Sequence, residues 1–249
     1  MMTKDVFEPI TVTGWRMGLS TFLKKELKAW FGSSIWLKHA LLWSGVLCLV
    51  GLQSIPDPSP DAGLLPVVMM AAIFPPIGAI ILSYEMILDE KKTGSAEWVL
   101  SKPVSRTSFI LSKFILATIG YTISMLLIPG LVIYLISLTF GMAPNIFGYL
   151  MFLVPLILWQ MVLSFLTLCM GTFFEKASST MILPFTLLLL GINIGEDPII
   201  GPFGPWGLYK ISISFLTGEN YPIYPVIVSC IVLILLVVIA VWRFRKHEF

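Results

Sequence analysis

Long apolar runs alternate with short polar breaks along this chain. A helix needs about 20 apolar residues to cross the hydrocarbon core of a bilayer. Six runs are long enough, and they cover roughly residues 36–54, 64–86, 108–140, 146–174, 177–194 and 223–242. The pattern predicts an all-α integral membrane protein with six transmembrane helices, organised as a single transmembrane domain over residues 1–249.

Composition agrees with this prediction. Of the 249 residues, 57% are hydrophobic and 12% are charged, whereas soluble domains carry about 25% charged residues. The third and fourth runs are longer than one crossing needs, so we expect them to extend beyond the membrane, to tilt, or to bend at Pro129 and Pro155. Pro75 and Pro76 predict a kink in the second run.

The positions of Lys and Arg orient the predicted spans, because basic residues concentrate in the cytoplasmic loops of membrane proteins. Fifteen of the 16 basic residues fall in the N-terminal segment, between spans two and three, between spans four and five, or in the C-terminal tail. Lys210 falls on the other side. We therefore predict a multi-pass protein of the plasma membrane with both termini in the cytoplasm.

Two segments that do not span have patterns of their own. Residues 14–31 carry aromatic and leucine side chains on one helical face and bases mainly on the other, which is typical of an amphipathic helix in the membrane interface. They could instead begin the first span, but the break at residues 32–34 favours the interfacial helix. Residues 193–222 combine a Gly- and Pro-rich half with an apolar half, which indicates an external re-entrant or surface segment.

The longest polar interruption in the first three quarters of the chain covers residues 85–113, between the second and third predicted spans. A short helix can start there at Thr93 or Gly94, with Glu97 placed to bond back to a free amide. A following proline ends it, and Ser105 is placed to cap the next helix. A short, partly apolar helix on a basic loop suits docking to a partner that pushes or pulls on the spans.

The same loop carries a motif with defined spacing. Acidic residues at the end of a span are followed by K-x-G-x-x-E-x-x-L-S-x-P-V-S-R, and then by a Lys at the start of the next span. In type and spacing, this resembles the ABC-2 type transporter permease family, and the six-span layout extends the resemblance to most of the chain. The eleven matching positions are Glu90, Lys92, Gly94, Glu97, Leu100, Ser101, Pro103, Val104, Ser105, Arg106 and Lys113.

The resemblance implies a function. In that family the loop, here residues 89–107, carries a coupling helix that contacts a separate ATP-hydrolysing subunit. The expected complex contains two ABC ATP-binding subunits and a second permease, either another copy of this chain or a related one. ATP and Mg²⁺ would belong to the partner ATPase, since this chain has no G-x-x-x-x-G-K-[ST] phosphate loop and is not expected to be an enzyme. Export is the expected direction of transport.

Trp98 is the leading candidate for contact with the ATPase. A tryptophan in a cytoplasmic loop exposes a large apolar area unless a partner covers it. The alternative is that Trp98 packs on the membrane interface, where tryptophan is also common. The predicted coupling residues are Glu90, Gly94, Glu97, Trp98, Leu100, Ser101, Pro103, Val104 and Arg106.

Acids at the membrane edge form a second candidate group. Glu85 lies about one turn deeper than Asp89 at the end of the second span, and an acid near a span is a functional candidate. The alternative is that these acids pair with Lys91, Lys92 or N-terminal bases. Pairing is favoured for Asp89, and both interpretations stay open for Glu85. Glu175 marks the turn between spans four and five, as an anchor or as a weaker partner contact.

Other classes of function find less support. His39 and His247 have no neighbours at metal-ligand spacing, so no metal site is predicted. The bases follow the membrane face and form no nucleic-acid stripe, so membrane lipid, and not nucleic acid, is expected beside them. Mid-membrane acids and histidines, which ion-coupled carriers usually need, are missing from the predicted spans. A membrane scaffold or immunity protein without transport is the main alternative, and an ion-coupled carrier is a further one.

The charge distribution predicts which loops can be labelled from each side. Single cysteines within residues 57–61 and 196–205 should react with a membrane-impermeant maleimide added to intact cells. Cysteines within residues 91–106 should react only after the membrane is opened. External labelling of Lys92→Cys in sealed cells would overturn the predicted orientation.

Overall fold

The computed structural model describes residues 14–53, 60–94, 104–141 and 144–246. Within these ranges the regular elements are helical and no strand occurs. A 3₁₀ turn at Gly14–Arg16 precedes the first helix. The helices are α1 (Leu19–Phe31), α2 (Ile35–Gln53), α3 (Pro60–Lys92), α4 (Arg106–Thr139), α5 (Ile146–Phe173), α6 (Ala177–Glu196), α7 (Leu208–Thr217) and α8 (Tyr224–Lys246).

Six of these helices, α2 to α6 and α8, are long and apolar enough to cross a membrane, which confirms the predicted layout. Their ends agree with the sequence prediction within a few residues, except at α3. That helix continues past the predicted end near residue 86 to Lys92, so Asp89 and Glu90 lie on the helix and not in a loop. The 28 residues of α5 span roughly 42 Å at 1.5 Å per residue, longer than a hydrocarbon core of about 30 Å.

Helix α5 lies at the centre of the bundle. It is the most deeply buried of the spanning helices, and it packs against α3, α6, α7 and α8. Its buried side chains are mostly apolar, from Tyr149 near the start to Cys169 near the end, but they include the polar Gln160, Ser164 and Thr167. Helices α3, α6 and α8 therefore depend on α5 for much of their buried surface.

A side chain of α5 also completes the backbone of α3. Pro76 has no N–H group, so the carbonyl of Ala72 lacks its usual helical donor. The buried indole of Trp159 donates from Nε1 to this carbonyl over 2.9 Å. In a membrane, where water cannot reach such a group, this bond matters more than it would at a surface. Helix α3 accordingly continues through Pro75 and Pro76 as one element.

Helix α4 changes its winding twice. Its first part, Arg106–Leu116, is α-helical, its middle part, Ala117–Leu127, is a π-helix, and its last part, Ile128–Thr139, is α-helical again. The indole of Trp30 from α1 packs on the π-helical part at Gly120, where a Cβ would lie only 3.0 Å from the indole Nε1. π-Helical turns are rare and often mark functional sites.

The two ends of the bundle differ in chemistry. One end is called the basic end below. It contains α1, the last turn of α3, the first turn of α4 and the last turn of α8. The opposite end is closed by two 3₁₀ turns, Gly201–Phe203 and Pro205–Gly207, followed by α7, which buries Leu208 and Tyr209. The part of this segment that follows α6 is thus irregular in its first half and helical in its second half. The relation of this segment to the membrane, and that of α1, stay predictions.

Replacing Trp159 with Phe keeps an aromatic ring in the centre of the bundle but removes the donor to Ala72. A buried carbonyl left without a partner costs about 1–3 kcal/mol. We expect Trp159→Phe to lower the free energy of unfolding by that amount in a detergent titration of the purified protein. Trp206→Phe is the matched control, because its indole donates to the carbonyl of Ile200 (3.1 Å) at an exposed position. Equal losses in the two variants would contradict this role of Trp159.

Candidate functional site at the basic end

Four charged side chains from three helices meet at the basic end. The Nζ of Lys113 in α4 lies 2.6 Å from Oε2 of Glu90 in α3 and 3.5 Å from Oε1 of Glu26 in α1. The Nζ of Lys25 in α1 lies 3.1 Å from Oε1 of Glu90 and 3.8 Å from Oε1 of Glu26. These residues, Lys25, Glu26, Glu90 and Lys113, are called the charge cluster below.

Lys113 is the buried centre of the charge cluster. Only 2% of its side chain is exposed, and a buried ammonium group is costly unless it is paired. Glu90 and Glu26 supply that pairing, and the Phe109 ring, with its centroid 4.8 Å from Nζ, adds a cation–π contact. Lys113 is therefore well compensated only while α1, α3 and α4 hold this arrangement.

Lys25 is the solvent-facing member of the charge cluster. Partial burial disfavours its charged form, but the carboxylates of Glu90 and Glu26 outweigh this and raise the pKa of Lys25 above its ordinary value of 10.5. Lys25 is thus charged at neutral pH. Its contribution to stability is present there and is lost only as the pH rises through its raised pKa.

Hydrogen bonds end α3 and begin α4 at the two edges of the loop between them. Gly94 has a left-handed φ of +68° and its N–H donates to the carbonyl of Lys91 (3.3 Å), which closes the end of α3. Ser105 caps α4 as predicted, since its side chain accepts from the N–H of Thr107 at 3.2 Å. The remaining predicted docking residues, Glu97, Trp98, Leu100, Ser101 and Pro103, lie outside the described residues, and their role stays a prediction.

The N-terminal segment is bound to the second edge of this loop. Gly18, with a left-handed φ of +83°, lets the chain approach Val104 closely: a Cβ at Gly18 would lie 3.0 Å from Cγ1 of Val104. Two hydrogen bonds reinforce the contact, from the N–H of Ser105 to the carbonyl of Met17 (3.0 Å) and from Oγ of Ser108 to the carbonyl of Trp15 (2.7 Å).

Bases at both edges of the loop reach the ends of two further spans. Lys91 donates from Nζ to the carbonyl of Gly171 in the last turn of α5 over 2.9 Å. Arg106 donates from Nη1 to the carbonyl of Arg245 in the last turn of α8 over 3.2 Å. Both contacts satisfy carbonyls near helix C-termini, where positive charge is also favoured. The loop edges are thus joined to α5 and α8 as well as to α1.

The three edge acids have different surroundings. Glu85 is half-buried on α3, and Asp89 and Glu175 are exposed. Among the described residues, no base lies within ion-pair distance of Glu85 or Asp89, so the pairing favoured for Asp89 is not observed there. Glu90 forms that pairing instead, with the N-terminal base Lys25.

The sequence prediction missed half of the charge cluster. It counted Lys113 among the bases of the loop without predicting its burial, and it gave no role to Glu26. One signal was available: Glu26 is the single acid among the bases of residues 14–31. An isolated acid on a basic helix indicates a specific cationic partner.

The comparison with known families gives one match. The model of a family described as "ABC-2 family transporter protein" matches residues 40–200, which is more than half of the 249 residues. No match was found among curated proteins. The matched range contains the loop, both of its edges, and the Glu90 and Lys113 members of the charge cluster.

Lys113→Met should destabilise the protein by about 3–5 kcal/mol, because it leaves Glu26 and Glu90 without their buried cation. Adding Glu90→Gln should recover part of this loss by removing one uncompensated charge. A double-mutant cycle on unfolding free energies measures the interaction. Lys210→Met is the control at the opposite end, where the partly exposed pair with Glu196 (3.6 Å) is worth about 1 kcal/mol or less. Additive losses in the cycle would show that Lys113 and Glu90 do not interact.

Proposed function

The chain belongs to the ABC-2 transporter family, and from this membership we propose that it is the permease subunit of an ATP-driven exporter. Family membership and the six spanning helices make it a multi-pass membrane component of a transporter that works with an ABC ATP-binding subunit. In the proposed complex, two ATP-binding subunits bind and hydrolyse ATP with Mg²⁺, and two permeases form the membrane part. The chain itself performs no catalysis.

The observation that carries this proposal is the attachment of the loop at both of its edges. At the first edge, the last turn of α3 is held by Glu90 and Lys91. At the second edge, Val104 packs on Gly18 and Arg106 is bonded to α8. Edges fixed in this way cannot be displaced without displacing the helices to which they are joined, which is what a coupling element requires.

The charge cluster supports a rigid transfer of that displacement. Glu90 belongs to the helix that enters the loop and Lys113 to the helix that leaves it, and their side chains are 2.6 Å apart. Moving one of these helices alone would separate a buried cation from its carboxylate, which is costly. The ends of α3 and α4 are therefore expected to move together, and α1 with them through Glu26.

We also propose that the basic end faces the cytoplasm. The charge cluster, the loop edges and the last turn of α8 lie at this end, and they contain most of the basic residues of the described chain. The positive-inside rule then places the loop on the side where ATP is available. Lys210, near the opposite end, is paired with Glu196 at 3.6 Å.

The exposed face of α6 carries polar side chains that a second permease could contact. Thr186 and Asn193 lie seven residues apart, two helical turns, and both are exposed on a helix long enough to span the membrane. Within the described chain, Thr186 and Asn193 donate hydrogen bonds to carbonyls of their own helix, those of Ile182 (2.7 Å) and Leu189 (3.1 Å). Polar side chains on such a face commonly bond to a neighbouring helix. We propose that this face contacts the second permease.

The decisive test measures whether the ATP-binding subunit docks through Trp98. Trp98→Ala should weaken binding of that subunit by about 2 kcal/mol, as truncation of an aromatic anchor at an interface does. Binding is measured by pull-down and by titration of the purified subunits. Trp15→Ala is the matched control, because Trp15 is a 52% exposed tryptophan at the same end but outside the loop.

Normal binding and normal ATP-driven transport by Trp98→Ala, in protein that is correctly inserted, would remove the docking role from this residue. Absence of any ATP-binding subunit from purified complexes of the unaltered chain would favour a membrane scaffold without transport.

A further inference from the structure

We propose that an anionic phospholipid of the cytoplasmic leaflet binds in a groove at the C-terminal end of α8. The groove has a volume of about 540 Å³ and is open on its outer side. It lies on the outer side of the last span, away from the charge cluster. Its described lining consists of Val237, Val238, Val241, Trp242, Arg245 and Lys246.

The lining has the polarity profile of a phospholipid. The residues come in neighbouring pairs that repeat every four positions, so they form one continuous face of the helix. From residue 237 to residue 246 the helix rises roughly 13 Å, close to half of a hydrocarbon core of about 30 Å. Three valines line the deep part, Trp242 lies below them, and two bases lie at the edge. An acyl chain fits the first part and an anionic headgroup the last.

The two bases at the edge are available to a ligand. Arg245 and Lys246 are exposed, and within the described chain no carboxylate lies within 4.0 Å of either. Lys246 is already positioned, with Nζ 4.2 Å from the centroid of the Trp242 ring. An arginine fork and a lysine point charge are the groups that bind phosphate oxygens. Charge complementarity therefore selects an anionic headgroup over a zwitterionic one.

The neighbouring base Arg243 does not belong to the groove. Its guanidinium lies 5.4 Å from the centroid of the Phe173 ring, so it packs on α5 and not in the groove. Two members of the apolar lining, in contrast, face outward: Val238 is 58% exposed and Trp242 is 53% exposed, whereas Val237 and Val241 are half-buried against the core. In a six-span protein, this surface is at the depth of the acyl chains, and tryptophan is favoured at the level of the headgroups.

The groove adjoins the loop edge described above. The carbonyl of Arg245 accepts the bond from Arg106, the first residue of α4. One residue earlier, Phe244 stacks on Phe109 of α4 with ring centroids 5.4 Å apart. A phosphate held by Arg245 and Lys246 is therefore positioned to stabilise the contact between α8 and α4. This consequence rests on the geometry alone and does not require the proposed transport function.

The test uses the purified full chain in detergent, titrated with phosphatidylglycerol or phosphatidylcholine, with bound lipid counted by native mass spectrometry. The unaltered chain should retain phosphatidylglycerol preferentially. Arg245→Gln with Lys246→Gln should reduce its affinity by roughly 30-fold, about fivefold for each cation near the headgroups. The matched control, Lys176→Gln with Arg243→Gln, removes two charges at the same end but spares the groove, and it should lower the affinity much less than the first variant does.

Two further variants test the apolar half and the identity of the occupant. Val238→Trp should narrow the groove and lower retention of both lipids. Equal losses in the two charge variants would reduce the effect to general surface attraction and overturn the proposal. Efficient disulfide cross-linking between copies through Val238→Cys, in a chain with Cys230 replaced by Ser, would overturn it as well, because the groove would then be an interface between copies. Neither readout depends on ATP hydrolysis or transport.

Discussion

The basic end of this protein depends on the pairing of one buried cation. Lys113 is almost fully removed from water, so it needs both Glu90 and Glu26 close by. That requirement fixes α1 against α3 and α4 and brings Trp30 onto the π-helical part of α4, where Gly120 leaves room for the indole. The N-terminal helix is therefore a structural part of the loop region and not an appendage.

A buried ion pair is weak evidence for stability, since a well-packed apolar group of similar size often does as well. What the charge cluster supplies here is a unique arrangement. Apolar contacts are non-directional, whereas Lys113 loses its compensation if either carboxylate moves away. Three helices that meet through charges have one good register, and the two loop edges, which belong to these helices, share it. This fits a part that must transmit motion without absorbing it.

Residue patterns predicted the features that follow from local sequence and from the contrast between membrane and water. They missed the features that depend on contacts between helices. The six spans followed from the length of the apolar runs, and the Ser105 cap followed from local geometry. The end of α3 was placed too early because its charged residues end the apolar run, although Glu and Lys are good helix formers. The burial of Lys113 could not be predicted, because a charge is assigned to water unless its partners are known. The π-helical part of α4 and the bond from Trp159 to Ala72 left no sequence signal either.

The bond from Trp159 to Ala72 connects the two functional faces of the proposed exporter. That bond compensates for Pro76, and the 33 residues of α3 form one continuous element from Pro60, at the far end of the bundle, to Lys92 at the loop. Trp159 also packs tightly on α6, where a Cβ at Gly191 would lie 2.9 Å from its ring. Helix α3 also packs directly on α6. A displacement of α3 by the ATP-binding subunit would therefore reach α6, whose exposed face is proposed to contact the second permease, both directly and through this indole. Close-packed interiors transmit such strain because they have little free volume in which to absorb it.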